Sequence, residues 1–273
     1  MPELPEVETV CKSLAATIIG KKIKGVEVFW PKIVKLPDVE QFCQLLIGQT
    51  VQQLERRGKF LLFYFDTNVM VSHLRMEGKY SIVSSDEPYD KHEHIVFHFE
   101  DGTDLRYKDV RKFGTMHLFA IGKEFTEMPL SGLGPEPFAA EYTIAYLQQA
   151  LLKSKRMIKS TLLDQTIVTG LGNIYVDETL FRAGVHPERL CTTLSADEIE
   201  AIYHESKATL SEAIEAGGST IRSYINSLGE IGLFQLQLKA YGRAGMSCLT
   251  CGTMMSKLKV GGRGTVVCSA CQK

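Results

Sequence analysis

No stretch of this 273-residue chain approaches the ~20 consecutive apolar residues that cross a bilayer as a helix. The start, Met1-Pro2-Glu3-Leu4-Pro5-Glu6, is acidic and has neither the basic opening nor the apolar run of a signal peptide. The expectation is a cytoplasmic protein with no membrane partner. A net charge of -1 also lacks the bulk positive charge that advertises a nucleic-acid binder. Its distribution says more. No acidic residue follows Glu230, whereas Lys239, Arg243, Lys257, Lys259, Arg263 and Lys273 do, and Lys153, Lys155, Arg156 and Lys159 form a second cluster. A near-neutral protein can present a basic face that neutralises phosphates locally. The alternative reading is a solvated helix surface with a charged tail. Internal repeats and low-complexity tracts are absent.

A composition of 44% hydrophobic and 23% charged residues is that of an ordinary globular protein, with length for one large or two medium domains. Residues 4–20 predict a helix, because Val7, Val10, Leu14 and Ile18 recur at helical spacing and Gly20 ends the run. From about 22 to 120 the pattern is mostly short strands, among them Lys22–Trp30, Thr50–Arg56, Phe60–Asp66, His94–Phe99 and Thr115–Phe119. Such a series suggests a sandwich or barrel. Gly132-Leu133-Gly134-Pro135-Glu136-Pro137 reads as a domain linker. Helices follow at Tyr142–Leu152 and Ser195–Ala216, the latter with Ser195 and Glu198 spaced as a capping box. Between them Thr169-Gly170-Leu171-Gly172-Asn173 separates two helical stretches, a helix-turn-helix pattern common in DNA docking. The chain is therefore expected to be α+β, divided at 1–134, 135–235 and 236–273.

Of seven cysteines, Cys11, Cys43 and Cys191 are scattered, and four lie together at the C-terminal end as Cys248-x2-Cys251, sixteen residues, then Cys268-x2-Cys271. A reducing cytosol disfavours disulfides, so the cluster points to metal. Two Cys-x2-Cys knuckles make a tetrahedral four-thiolate site suited to one Zn2+ ion, and four protein ligands leave no open position for a catalytic water. The metal is expected to be structural, since a module of roughly 25–30 residues cannot build an adequate core without it. Between the knuckles Lys257–Thr265 reads as a β-hairpin with a glycine-rich tip carrying Arg263. The glycines permit close backbone approach to a ligand; an ordinary hairpin with a solvated arginine is the plainer reading.

These motifs converge. Pro2-Glu3-Leu4-Pro5-Glu6-Val7-Glu8, Arg57-Gly58-Lys59, His73-Leu74-Arg75-Met76-Glu77-Gly78, Asp109-Val110-Arg111-Lys112-Phe113-Gly114, Gly172-Asn173-Ile174-Tyr175 and the four-cysteine finger occur in this order. Together they resemble the formamidopyrimidine-DNA glycosylase family over the whole chain. The resemblance implies an N-terminal β-sandwich domain with a leading helix, a helix–two-turn–helix domain and a zinc finger, with DNA in the cleft between the halves. It further implies a bacterial, monomeric base-excision repair enzyme. The substrate would be double-stranded DNA carrying 8-oxoguanine or a formamidopyrimidine, preferably opposite cytosine.

The same resemblance assigns roles. Pro2 is the nucleophile once Met1 is removed; with Met1 attached, its nitrogen is an amide without a lone pair free to attack. An α-amino group titrates near ~8 and a lysine near ~10.4, so a free N-terminal amine keeps a useful neutral fraction. A secondary amine attacking the sugar C1′ gives an iminium that acidifies the C2′ proton and opens β-elimination. Glu3 is the implied proton donor, Lys59 the general acid/base, and Arg263 the residue of δ-elimination. Because arginine stays protonated, Arg263 suits clamping a phosphate and stabilising the leaving group. The competing readings are a helix-starting proline at Pro2 and a first-turn acid at Glu3.

Reaching the base requires flipping it from the stack. Met76, Arg111 and Phe113 match the trio that fills the gap, with Arg111 facing the orphaned cytosine; core packing is the alternative for Met76 and Phe113. Asn173 follows Gly172 at a helix start, where free backbone N–H groups favour a phosphate; Lys153 and His92 match DNA contacts, and His73 and Arg75 are added to them. His94, alternating with His92, is as well explained structurally. Glu77 and the Gly218–Tyr224 segment, with Ser219, Thr220, Arg222 and Tyr224, are the expected lesion pocket. Two alternatives remain: a sister glycosylase acting on oxidised pyrimidines, and a non-catalytic zinc-ribbon protein that binds damaged DNA.

Overall fold

In the computed structural model, residues 1–219 and 232–273 are described. Their contacts group them into two units. The first contains Met1–Ser131, joined by Gly217–Ser219 and Gly232, and the second contains Gly132–Ala216 and Leu233–Lys273.

The first unit begins with α1 (Leu4–Ile18), whose N-cap is Glu3. Pro5 sits in the first turn, where a missing N–H costs nothing. Glu6 reaches back to accept from the Glu3 N–H at 2.8 Å, the reciprocal arm of a capping box. Val7, Val10, Leu14 and Ile18 form the buried stripe that their spacing predicts. The strands are β1 (Ile23–Val28), β2 (Val34–Leu36), β3 (Gln53–Arg57), β4 (Phe60–Tyr64), β5 (Asn68–His73), β6 (Lys79–Ser84), β7 (Glu93–Phe99), β8 (Thr103–Lys108) and β9 (Thr115–Ala120), with α2 (Val39–Leu46) after β2. They form a four-stranded sheet, β1-β7-β8-β6, and a five-stranded sheet, β2-β9-β5-β4-β3. The pairs are antiparallel except β2 with β9. This is the expected β-sandwich, and one core cluster joins α1, α2 and side chains of both sheets, including Phe42, Phe63, Met70, Phe97 and Tyr107.

Several of these elements are not legible as periodic patterns. In β5 every residue is buried, so alternation is lost. In β8 the charged Asp104 and Arg106 are themselves buried, and the Arg106 guanidinium is neutralised by Asp104 at 3.0 Å and Glu93 at 3.2 Å.

The second unit contains α3 (Ile144–Leu152), α4 (Ile158–Leu162), α5 (Asn173–Arg182), α6 (Ala196–Glu215) and the hairpin β10 (Ser256–Val260)–β11 (Arg263–Val267). The capping box at α6 is present in both directions, Glu198 N–H to Ser195 Oγ and Ser195 N–H to Glu198 Oε2. The α4–α5 turn is tied by Gln165, which accepts from Gly170 N–H and donates to the Leu163 and Leu171 carbonyls.

The cysteine module does not stand apart as a third body. Phe181 of α5 packs with Ala240, Cys248, Met255, Val266 and Cys268. Glu178, fully buried, accepts the backbone N–H groups of Lys239, Ala240 and Tyr241 at 2.8–2.9 Å. Lys159 departs from its expected place in a surface basic cluster. It is buried, paired with Asp177 at 2.6 Å, and donates to Gly264 O and Thr265 Oγ. Removing one partner of such a pair strands the other charge out of water. Asp177→Ala should therefore lower the unfolding free energy by about 3–5 kcal/mol, measured by urea denaturation.

Candidate functional site

In the first unit the chain start is the point of convergence. Pro2 and Glu3 are buried, Glu3 to 3% exposure. Burial pushes the α-amino group of Met1 below its ordinary value, while Glu3, Glu6 and Glu77 pull it up and Lys59 pushes it down. The N-terminal nitrogen, three carboxylates and one ammonium thus share a single electrostatic environment.

Lys59 is delivered by the two-residue turn between β3 and β4, where Arg57 pairs with Phe60. Gly58 has φ 58°, a value that favours glycine. Arg56 anchors the turn: its Nε–H donates to Glu8 of α1 at 2.7 Å and its Nη1–H to Gly58 O at 3.1 Å. Lys59 is 5% exposed. Across the β4–β5 ladder Phe60 faces His73, with the rings edge-on at 4.6 Å. Burial above all, then Arg75 and Lys59, brings the His73 pKa down to about 3, so its imidazole is neutral. Its Nδ1 accepts the Arg75 N–H at 2.8 Å.

Two loops follow strand ends. Arg75 has φ 53° and Lys112 φ 57°, the described non-glycine residues at positive φ. Beside them Met76 is 41% and Phe113 52% exposed. The core-packing reading of these two side chains is therefore excluded. The Arg111 guanidinium lies over the Phe113 ring at 4.7 Å. His92 is half-buried and its carbonyl accepts the Asp109 N–H, while His94 is buried and donates from Nε2 to the Asp109 carbonyl at 2.9 Å. His94 is thus a structural residue.

Of the expected lesion pocket, Ser219 is buried and its N–H donates to Glu6 Oε1 at 2.7 Å. Glu77 is exposed yet close enough to influence the N-terminal amine. Thr220, Arg222 and Tyr224 lie outside the described residues.

In the second unit Arg263 is exposed and opens β11, paired with Val260 across a Gly261-Gly262 turn. Both glycines have positive φ, and a Cβ on Gly261 would overlap Ser160 Oγ. The Gly264 carbonyl accepts from Asn173 Nδ2 at 3.0 Å and from Lys159 Nζ at 3.2 Å, which ties the Arg263 strand to α4 and α5. Asn173 is the first residue of α5, whose N-cap Gly172 has no side chain to cap it. Lys153, at the C-terminal end of α3, is exposed.

The sulfurs of Cys248, Cys251, Cys268 and Cys271 lie within 4.8 Å of one another, with Cys248–Cys271 at 3.9 Å and Cys251–Cys268 at 3.5 Å. These separations exceed a disulfide bond and match the edges, about 3.8 Å, of a tetrahedron with ~2.3 Å metal–sulfur bonds. The four thiols fit a closed structural metal site.

Sequence reasoning assigned no role to Glu6, Glu8, Arg56, Asp109 or Glu178. Glu6 had a visible signal, three residues after the N-cap. Asp109 had one too, as an aspartate able to hydrogen-bond its own backbone two residues on. Glu178 and the Arg56–Glu8 pair had none, because their partners are distant in sequence.

A helix-bearing β-sandwich unit with a charged N-terminal site, together with a helical unit carrying a four-cysteine finger, defines a class of DNA-processing proteins. Residues 1–116 match the formamidopyrimidine-DNA glycosylase N-terminal domain, 133–225 its H2TH domain, and 247–273 the zinc finger found in FPG and IleRS. The chain belongs to the formamidopyrimidine-DNA glycosylase family, and is accordingly a DNA glycosylase of base-excision repair. It is 60% identical to the Bacillus subtilis formamidopyrimidine-DNA glycosylase, over 100% of this chain and 99% of that protein. Identity to the Oceanobacillus iheyensis protein is 53%, over 100% and 98%. A Lactococcus lactis FPG variant in complex with Fapy-dG-containing DNA superposes with TM-score 0.95 at 42% identity, covering 100% of both chains. The structure of MutM in complex with carbocyclic 8-oxo-G-containing DNA gives 0.94 at 42%, again over 100% of both. No described helix is long and apolar enough to cross a membrane.

Two outcomes follow from these sites. Metal analysis should find one zinc per chain, and chelation should lower the melting temperature, because the cluster around Phe181 then loses its anchor. For His73, the ordinary pKa of 6.5 in the unfolded chain falls to about 3 in the folded one. Its contribution is therefore present above 6.5 and is lost as pH falls towards 3. Between pH 7 and 5 the wild type should lose about 2 kcal/mol more stability than His73→Gln in urea titrations.

Proposed function

We propose that the chain is a bifunctional DNA glycosylase and AP lyase that removes oxidised purines, 8-oxoguanine and formamidopyrimidines, from double-stranded DNA, preferably opposite cytosine. The observation that carries this reading is the partly desolvated N-terminal amine, next to buried Pro2 and under the influence of Glu3, Glu6, Glu77 and Lys59. With Met1 removed, the amine becomes that of Pro2. Desolvation that depresses an ammonium favours the neutral, nucleophilic form at physiological pH.

Pro2 attacks C1′ of the damaged nucleotide and the base departs, with Glu3 supplying a proton that assists opening of the deoxyribose ring. The resulting iminium draws electrons from C2′, Lys59 serves the proton transfer of β-elimination, and Arg263 holds the phosphate that leaves in δ-elimination. Met76 and Phe113 are exposed, as side chains that enter a duplex must be, and Arg111 faces the base left without a partner. Neutral His73 can still donate from its ring, and with Arg75, His92, Lys153 and Asn173 it provides contacts to the DNA backbone. Glu77 and Ser219 serve the pocket for the flipped base, a role that the family resemblance also gives to Thr220, Arg222 and Tyr224. One structural Zn2+, held by Cys248, Cys251, Cys268 and Cys271, maintains the module that carries Arg263. The protein acts as a monomer in the bacterial cytoplasm.

Borohydride trapping tests the reading. Protein shown by mass spectrometry to lack Met1 should form a covalent adduct with 8-oxoguanine:C duplex and far less with a thymine-glycol duplex. Protein retaining Met1 should bind without trapping. Binding without an adduct by the Met1-free form would leave a non-catalytic damage-binding protein.

A further inference from the structure

Asp109 is fully buried, and each of its backbone and carboxylate polar groups is engaged. Its N–H donates to the His92 carbonyl at 3.0 Å, and its own carbonyl accepts from His94 Nε2 at 2.9 Å. Its Oδ1 accepts the Arg111 N–H at 3.0 Å, and its Oδ2 accepts the N–H groups of Phe113 and Gly114, both at 2.9 Å. A carboxylate accepting three backbone donors fixes the path of the loop that carries Arg111 and Phe113, including the positive φ of Lys112.

The Tyr107 hydroxyl completes the arrangement. It donates to Asp109 Oδ2 at 3.4 Å, and burial keeps it protonated by pushing its pKa well above the ordinary value. A Cβ on Gly114 would overlap this hydroxyl, and so would a Cβ on Gly78. Gly78 closes the other exposed loop, its N–H donating to the Leu74 carbonyl at 2.9 Å across Arg75, Met76 and Glu77. One buried oxygen thus abuts the closing glycines of both loops.

We propose that Asp109, seated against the Tyr107 hydroxyl, is a positioning residue. It holds the Met76 loop and the Arg111–Phe113 loop in fixed relation, and so sets discrimination of the base opposite the lesion. The discrimination rests on the role given to Arg111 above; the bracing does not. Misplacement of a recognition group by a small distance is costly, because its hydrogen bonds depend on alignment.

The one tryptophan provides a direct reporter. Lys112 Nζ lies 3.8 Å from the centre of the Trp30 ring, so release of the loop uncovers that ring. The experiment compares wild type, Asp109→Ala, Asp109→Asn, Tyr107→Phe and Arg111→Ala, all with Met1 removed. It reads acrylamide quenching of Trp30 in the free proteins. It also reads single-turnover excision of 8-oxoguanine opposite C and opposite A, with folding checked by near-UV circular dichroism.

Asp109→Ala should raise the quenching constant and cut the C-over-A ratio by about tenfold, as loss of a well-placed base contact does. Asp109→Asn keeps one acceptor oxygen and should fall between, which decides the matter if Asp109→Ala does not fold. Tyr107→Phe should shift both readouts in the same direction by less. Unchanged quenching in folded Asp109→Ala and Asp109→Asn would overturn the proposal. So would raised quenching with an unchanged ratio when Arg111→Ala lowers it. If Arg111→Ala itself leaves the ratio unchanged, the role of Arg111 fails, and quenching alone then decides the bracing.

Discussion

An amine taken out of water tends to lose its proton, and nearby carboxylates tend to restore it; the first nitrogen of this chain is subject to both at once. Much of the first unit serves that placement. Glu3 must be buried to begin α1, Glu6 must turn back to accept its N–H, and the same Glu6 carboxylate receives Ser219 N–H from the far side of the chain. The β3–β4 turn must bring Lys59 to the same place, and the Arg56–Glu8 contact ties that turn to the helix. The buried members of this mixed-charge site, Glu3, Glu6 and Lys59, are tolerable there because charged and hydrogen-bonding groups surround them.

Buried polar groups, rather than apolar packing alone, also set the geometry of the peripheral features. Asp109 holds a surface loop from beneath through three backbone donors. Glu178 does the same for the chain entering the cysteine module. Lys159 and Asn173 converge on the Gly264 carbonyl and so fix the strand that Arg263 opens. Each of these side chains replaces water for backbone groups that would otherwise be orphaned, which gives loops a definition that apolar contact does not provide. Exposed Met76 and Phe113 can then be held out in solvent without collapsing onto the core.

How much of this was legible depends on the range of the interaction. The amphipathic stripe of α1, the α6 capping box and the two Cys-x2-Cys knuckles are written in spacings of two to four residues, and they stand where those spacings put them. Strand β5 shows no alternation because both its faces are buried, and in β8 the charged Asp104 and Arg106 are interior because they neutralise each other with help from Glu93. Lys159 looked like a surface base because its partner Asp177 lies eighteen residues away, on another helix. The exposure of Met76 and Phe113 went against residue-type preference, since apolar side chains ordinarily settle inside.

The sequence by itself determined the local devices: helix starts, the metal-ligand spacing, the glycines at the Gly58 and Gly261-Gly262 turns, and the ordered motifs that mark the family. These depend on covalent geometry and neighbouring residues, which the linear order contains in full. Only the tertiary structure decided which carboxylates surround the first nitrogen, that His73 is neutral, that Lys159 is interior, and that Asp109 braces the exposed loop. Those outcomes turn on desolvation and on distances between residues remote in sequence. Neither quantity exists until the sheets have paired and the core has closed.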